Sequence, residues 1–103
     1  MIAEDKFNNL QINDIIYFYD DINNVIKGVK ITGITYKTMG YSIDKKYKII
    51  EMIELIGDFN IKHKVNKDSL IFLSEIECLN YSISNWKEEL REKYGEKYPE
   101  YFI

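Results

Sequence analysis

The sequence predicts a mainly β domain of the α+β class: a small, bent antiparallel sheet or barrel of about five strands with one C-terminal helix. Short apolar runs separated by turn residues predict the strands, and a long stretch of helical periodicity near the end predicts the helix. A chain of 103 residues that is 46% hydrophobic can bury one modest core. We therefore expect a single domain over 1–103, with a β region at about 10–73, a helix at 75–94 and a tail at 96–103.

The first two strands are predicted on either side of an acidic turn. Ile15 to Tyr19 is rich in β-branched and aromatic residues and follows the turn-forming pair Asn13-Asp14. The stretch "DDINN" at 20–24 predicts the turn that ends this strand. In the following stretch, "VIKGVKITGITYKT", the apolar phase shifts by one residue across Gly33. A glycine at such a shift predicts a β-bulge that bends the second strand.

The middle of the chain is compatible with strand or helix. Met39-Gly40 predicts a turn before it. Within 47–56 the apolar residues fit a helical stripe ended by Gly57, whereas the high isoleucine content fits a strand ended by a hairpin turn at Gly57-Asp58. Alternation then predicts one strand face containing Phe59, Ile61, His63 and Val65. Because that strand needs a neighbour, strand is favoured for 47–56.

The clearest local pattern begins the C-terminal helix. Leu70 to Leu73 is predicted as a short last strand. Ser74 followed by Glu77 forms a capping box, in which each side chain bonds an unpaired backbone N–H of the first helical turn. Apolar residues then recur at three- and four-residue steps: Ile76, Leu79, Ile83, Trp86 and Leu90. Gly95 predicts the end of the helix.

Two stretches together resemble known small proteins. "LQINDIIYFYDDINNVIKGVKITGI" is similar to the opening hairpin of SH3-like barrels; the matching residues are Leu10, Asp14, Tyr17 and Gly28. "LIFLSEIECLNYSISNWKEEL" resembles the last strand and helix of small uncharacterised proteins from low-GC bacteria and their phages, through Phe72, Leu73, Ser74 and Glu77. The resemblance implies an SH3-like fold and no catalytic or ligand residues. Asn13 departs from it, since a glycine usually precedes the Asp.

Residues for catalysis or metal binding are sparse. The chain has one histidine, His63, and one cysteine, Cys78, and each fits a packed position better than a nucleophile–base pair. Neither a Cys/His pair nor an EF-hand spacing accompanies Asp20-Asp21. Glu51 and Glu54 would share a face on a helix, but on a strand they point to opposite faces. Phosphate-binding loop motifs do not occur in the sequence. The sequence therefore predicts a non-enzymatic protein with no cofactor and no metal.

Basic residues concentrate in the middle of an acidic chain. Residues 27–67 carry nine lysines and four acids, whereas the whole chain has a formal net charge of -3. Lysines that neutralise phosphates and tyrosines that stack on bases are typical of single-strand nucleic-acid binding. The candidate residues for a nucleic-acid or anion site are Lys37, Tyr41, Lys45, Lys46, Tyr47 and Lys48. Without arginine such binding would be weak and salt-sensitive, and a solvated hairpin is the alternative.

The C-terminal segment is a second candidate binding surface. Aromatic residues surrounded by a polar rim are typical of protein interfaces. The candidate protein-binding residues are Tyr94, Tyr98, Tyr101 and Phe102. The alternative is that this tail closes over the core of its own chain.

Amino-acid composition indicates the kind of organism that the protein comes from, and this source leads to a hypothesis about its function. Residues with A/T-rich codons (isoleucine, lysine, asparagine and tyrosine) are abundant, whereas the chain has one alanine and one arginine, which indicates a low-GC bacterium or its phage. We expect a cytoplasmic protein of the host cell, encoded by a phage or mobile element, with no membrane contact. It would contact a host or phage protein and inhibit a host factor or defence complex. The alternative is a weak binder of nucleic acid or an anionic ligand, and a homodimer is compatible with either.

Overall fold

The computed structural model describes residues 4–41, 48–66 and 68–103. In these residues, five antiparallel strands form two sheets, and a long helix follows them. The elements are α1 (Glu4–Phe7), β1 (Ile15–Asp20), β2 (Val25–Lys30), β3 (Gly33–Tyr41), β4 (Lys48–Ile56), β5 (Lys62–Val65) and α2 (Glu75–Tyr94). The predicted mainly β, α+β class is confirmed, with the strands in two sheets rather than in one closed barrel.

β1 and β2 form a two-stranded sheet joined by the predicted acidic turn. The Asp20 carboxylate accepts the backbone N–H of Ile22 at 3.0 Å and the side-chain amide of Asn23 at 2.9 Å. Asn24 has a φ of 53°, a left-handed conformation that asparagine tolerates better than most residues. Local side-chain bonds therefore determine this turn, which is why the sequence pattern predicted it correctly.

The second sheet contains β3, β4 and β5 with β4 in the centre. Both neighbours pair with β4 in antiparallel register. The strand prediction for 47–56 is confirmed, since β4 covers Lys48–Ile56. A strand paired on both sides accommodates the isoleucine-rich stretch that also fitted a helical stripe.

The single long second strand of the sequence analysis is in fact two strands. β2 ends at Lys30 and β3 begins at Gly33, and the two strands belong to different sheets. Between them Ile31 is fully buried, and the Thr32 N–H donates to the Ile56 carbonyl at 2.7 Å. The β-bulge predicted at Gly33 is therefore wrong, because the shift in apolar phase marks the passage from one sheet to the other.

The turn predicted at Met39-Gly40 is also wrong, because β3 continues through both residues to Tyr41. The pairing of β3 with β4 is irregular between Lys37 and Gly40, and the same register resumes afterwards. Each strand therefore contains one extra residue here, and the two extra residues cancel in the pairing register. Gly40 signals this irregularity in the strand rather than its end. The segment between β3 and β4, 42–47, lies outside the described residues.

The hairpin turn predicted at Gly57-Asp58 is replaced by a longer connection. A 3₁₀ turn at Asp58–Asn60 follows β4, and β5 covers only Lys62–Val65. A Cβ atom at Gly57 would collide with Cγ1 of Val29. Close packing therefore explains this glycine better than a two-residue turn does.

The last predicted strand, Leu70 to Leu73, is reduced to one antiparallel bridge between Tyr17 and Phe72. The Tyr17 N–H donates to the Phe72 carbonyl at 2.8 Å, and the Phe72 N–H donates back at 2.9 Å. The described chain still has five strands. The predicted second strand became two strands, β2 and β3, and the predicted strand at Leu70 to Leu73 was lost.

The predicted helix is confirmed at both ends. α2 begins after Ser74, whose Oγ accepts the Glu77 N–H at 3.2 Å, which is the bond that the Ser74 side chain contributes to a capping box. It ends at Tyr94, immediately before Gly95. A local cap therefore explains the start of this helix, whereas Gly95 keeps helical backbone (φ −61°, ψ −35°) and is not a left-handed glycine cap.

α2 contains a kink that the helical periodicity of the sequence does not predict. Trp86 departs from helical geometry, with φ −132° and ψ 39°. Shortly before it, the Ser82 hydroxyl donates to the Cys78 carbonyl and the Ser84 hydroxyl to the Tyr81 carbonyl, each at 2.7 Å. Such bonds to the preceding turn bend helices, and we assign the kink partly to them.

The chain divides into two compact units, each built from two segments. Met1–Ile15 and Val29–Leu70 form the first, whose buried apolar residues are Phe7, Leu10, Ile31, Ile53, Leu55 and Val65. Ile16–Gly28 and Ile71–Ile103 form the second, with a core of Ile26, Phe72, Cys78, Leu79, Leu90 and Phe102. The expectation of a single domain over 1–103 stays a prediction.

Candidate protein-binding surface

The four C-terminal residues predicted to bind a protein lie in or against the core of the second unit. Phe102 is 5% exposed and belongs to that core. Tyr94, Tyr98 and Tyr101 are partly buried and pack against it. The rings of Tyr98 and Tyr101 meet edge to face, with centroids 6.3 Å apart. Much of their apolar surface therefore contributes to the packing of their own unit.

Hydrogen bonds connect the same C-terminal residues to other parts of the second unit. The Tyr94 hydroxyl accepts the Ile26 N–H at 2.8 Å. Arg91 Nη1 donates to the Phe102 carbonyl at 2.8 Å, and its guanidinium carbon lies 5.9 Å from the centroid of the Phe102 ring. These contacts favour the alternative in which the tail closes over the core of its own chain. The protein-binding role of the four residues stays a prediction.

Glu75, the first residue of α2, holds the segment that follows the helix. Its Oε1 accepts a hydrogen bond from Lys97 Nζ and another from the Tyr98 hydroxyl, both at 3.0 Å. The hydrogen bond to Glu75 raises the pKa of Lys97. A single carboxylate therefore connects the start of the helix to the segment after its end.

The candidate anion-binding residues lie only partly within the described chain. Lys45, Lys46 and Tyr47 are outside it, and the side chains of Tyr41 and Lys48 are also outside the described set. Lys37 is exposed on β3. The anion-binding prediction for this group stays a prediction.

Alternation within β3 separates lysine from tyrosine. Tyr36 pairs with Ile53, which is fully buried, and its hydroxyl donates to the Leu10 carbonyl at 2.8 Å. Lys37 is the next residue of the strand and lies on the opposite face. A ligand on one face of this sheet would therefore meet Lys37 without Tyr36.

The connection after β4 exposes an aromatic side chain. Phe59 is 95% exposed within the 3₁₀ turn Asp58–Asn60. Its backbone is left-handed, with φ 59° and ψ 23°, and Asn60 follows with φ 58°. This conformation costs an L-residue about 1–2 kcal/mol, and it is rare for a bulky side chain. The fold therefore displays a large apolar ring at an energetic cost.

Ile61 extends this apolar projection. It is 54% exposed, and its carbonyl accepts the Gly57 N–H at 2.9 Å, which closes the connection. We refer to residues 59–61 as the Phe59 turn. Sequence alternation had placed Phe59 and Ile61 on a strand face, which is wrong. The signal that could have revealed the turn is Asn60, which adopts left-handed backbone readily, close after Gly57-Asp58.

The side chains that could carry out chemistry, Cys78, His63 and Asp20, are the remaining candidate site residues. Cys78 is fully buried, and burial raises the pKa of its thiol to about 11. His63 is half-buried in β5. The hydrogen bond from the Asn23 side chain lowers the pKa of Asp20 well below its usual range. Within 4–41, 48–66 and 68–103, His, Cys, Asp and Glu side chains form no group of three that could hold a metal ion.

Comparison of the chain with protein-family models, curated proteins and solved structures finds no match. The helices in the described part of the chain are too short or too polar to cross a membrane. The fold and this surface together describe a small, mainly β domain of the α+β class with an exposed aromatic turn.

Proposed function

We propose that this is a non-enzymatic binding protein that contacts another protein through the Phe59 turn. The observation that supports the proposal most directly is the exposure of Phe59 on left-handed backbone. A phenyl ring in water gains nothing from the hydrophobic effect, and its backbone adds a conformational cost. Strained positions of this kind cluster at active sites and ligand-binding sites.

The geometry of the turn suits an anchor residue. Aromatic side chains that enter a partner's pocket carry a large share of the energy in many interfaces. The short connection closed between Gly57 and Ile61 limits the freedom of Phe59, which reduces the entropy lost on binding. Ile61 adds apolar area beside the ring. A partner with an apolar pocket would match both side chains.

The proposed partner is a host protein. Codon-related composition supports a phage or mobile element of a low-GC bacterium as the source. With that source, the protein would act by blocking a host factor or defence complex. The Phe59 turn replaces the C-terminal aromatic residues as the proposed contact, because Phe102 is buried in its own unit.

The substitution Phe59→Asn tests the proposal. Asparagine removes the ring and tolerates left-handed backbone, so we expect the free energy of unfolding to stay equal or to rise by up to about 1 kcal/mol. In a pull-down from a low-GC bacterial lysate, the unsubstituted protein should retain one protein stoichiometrically. Phe59→Asn should weaken that capture about tenfold or more.

Ile22→Ala is the matched control for this experiment. Ile22 is 87% exposed in the turn between β1 and β2, and its substitution should leave capture unchanged. Equal capture by Phe59→Asn, or recovery of no stoichiometric protein, would contradict the proposal. A large loss of stability in Phe59→Asn would show instead that the ring supports the fold.

A further inference from the structure

Three exposed lysines share one face of the three-stranded sheet. The pairing register places Thr35 of β3, Glu54 of β4 and Lys64 of β5 in one row across the sheet. Side chains opposite each other in paired strands lie on the same face, and so do residues two apart in one strand. Lys37 and Lys62 therefore share the face of Lys64. We call these three residues the lysine face.

The lysine face is turned to solvent and carries excess positive charge. All three lysines are exposed, whereas Ile53 and Leu55 on the opposite face are fully buried. Among the described side chains of the lysine face, Glu54 is the acidic one, and its Oε1 lies 3.9 Å from Lys62 Nζ. An exposed ion pair at this separation contributes little, so Lys62 and Lys64 together outweigh Glu54 on the described part of this face.

The lysine face begins where the Phe59 turn ends. Lys62 follows Ile61 directly, and Lys64 lies about 7 Å further along β5. Lys37 lies two strands away, about 10 Å across the sheet and about 7 Å along it beyond the row of Thr35, Glu54 and Lys64. The Phe59 turn and the lysine face both belong to the first unit. A partner that receives Phe59 therefore lies within reach of ammonium groups that follow it along the chain.

We infer that the partner carries a carboxylate-rich surface beside the apolar pocket for Phe59, an inference that rests on the proposed function. Ammonium groups attract aspartate and glutamate side chains, and complementary charge mainly raises the association rate. A nucleic acid is the competing polyanion. It is disfavoured because Tyr36 lies on the opposite face from Lys37, which leaves the described lysine face without a tyrosine to stack on bases.

Poly-L-glutamate is the probe, titrated into isotope-labelled protein and followed by NMR of the backbone amides. We expect shifts centred on Thr35, Lys37, Lys62 and Lys64 that fade as the salt concentration rises from about 0.01 to 0.15 M. The variant Lys62→Glu/Lys64→Glu should bind about tenfold more weakly. The control variant Lys6→Glu/Lys30→Glu reverses the charge of two exposed lysines that belong to the same unit but lie outside the lysine face. It should bind poly-L-glutamate at least fivefold more tightly than Lys62→Glu/Lys64→Glu does.

The outcomes separate this inference from the proposed function. Equal weakening by both double variants, or no shifts on the lysine face, would overturn the inference. Tighter binding of a thymidine oligonucleotide than of poly-L-glutamate would also overturn it, in favour of nucleic acid. Phe59→Asn should leave poly-L-glutamate binding intact. If Phe59→Asn abolishes capture from lysate while Lys62→Glu/Lys64→Glu does not slow it, the proposed function stands and the inference fails.

Discussion

At the scale of single residues, Cys78 shows how surroundings override residue type. A cysteine in the first turns of a helix can have a lowered thiol pKa, because the helix dipole favours the thiolate. Here burial has the larger effect and raises the pKa of Cys78 from 9.0 to about 11. The thiol therefore stays protonated, and weakly reactive, at neutral pH.

We expect Cys78 to resist the thiol reagent DTNB in the folded protein and to react fully in urea. Stability should fall as the pH rises from 9.0 to about 11, because the unfolded thiol ionises in this range while the folded thiol keeps its proton. Urea denaturation of the unsubstituted protein and of Cys78→Ala measures the effect. The difference in unfolding free energy between them should shrink by about 2 kcal/mol across the range. Because both proteins keep all their tyrosines, a difference independent of pH would contradict the assignment.

Phe59 shows the limit of residue patterns at the same scale. Its alternation with Ile61, His63 and Val65 predicted a place on one strand face, yet Phe59 lies in a 3₁₀ turn and is 95% exposed. Alternation records spacing along the chain and does not show where a strand begins. The left-handed backbone at Phe59 and Asn60 ends the pattern before β5 starts.

At the scale of secondary structure, α2 separates what local bonds decide from what packing decides. Its start depends on Ser74, a cap that is readable from the sequence, and its end falls at the predicted position although Gly95 keeps helical backbone. The kink at Trp86 was not predicted. There the Trp86 ring stacks on Tyr19 with centroids 4.4 Å apart, a contact with a distant part of the chain. Helical periodicity locates the apolar stripe but reveals neither this contact nor the bend.

The substitution Ser74→Ala should lower the free energy of unfolding by about 1 kcal/mol, because the Glu77 N–H loses its side-chain acceptor. Chemical denaturation followed by circular dichroism measures this loss. Ser84→Ala is the matched control, since that exposed hydroxyl bonds back to the Tyr81 carbonyl within the helix. Its substitution should change stability by less than about 0.5 kcal/mol. Equal effects of the two substitutions would rule out capping as the reason.

At the scale of the whole molecule, segments distant in sequence build each unit. The bond from the Ile26 N–H to the Tyr94 hydroxyl joins residues 68 positions apart. The Lys93 ammonium likewise donates to the Asn23 carbonyl in the turn between β1 and β2. The C-terminal end of α2 is thus part of the second unit's framework, together with the β1–β2 turn.

The substitution Phe102→Ala should therefore lower the free energy of unfolding by about 3 kcal/mol, since it empties a site in the core of the second unit. Ile103→Ala is the adjacent control: Ile103 is 97% exposed, and its loss should change stability by less than about 0.5 kcal/mol. Thermal and urea denaturation of both variants provide the measurement. If Phe102→Ala kept full stability but lost the captured partner, the C-terminal aromatic residues would regain the binding role predicted from the sequence.

The sequence by itself determined the fold class, the acidic turn after Asp20, the strand at Lys48–Ile56 and the start of α2. These features depend on side-chain periodicity and on bonds between near neighbours, which a sequence records directly. Only the tertiary structure decided where the chain passes between sheets at Gly33, and which aromatic residues face water. Phe59 and Phe102 have the same chemistry, yet one is exposed and the other buried. Contacts with residues distant in sequence make that difference, and local patterns do not contain them.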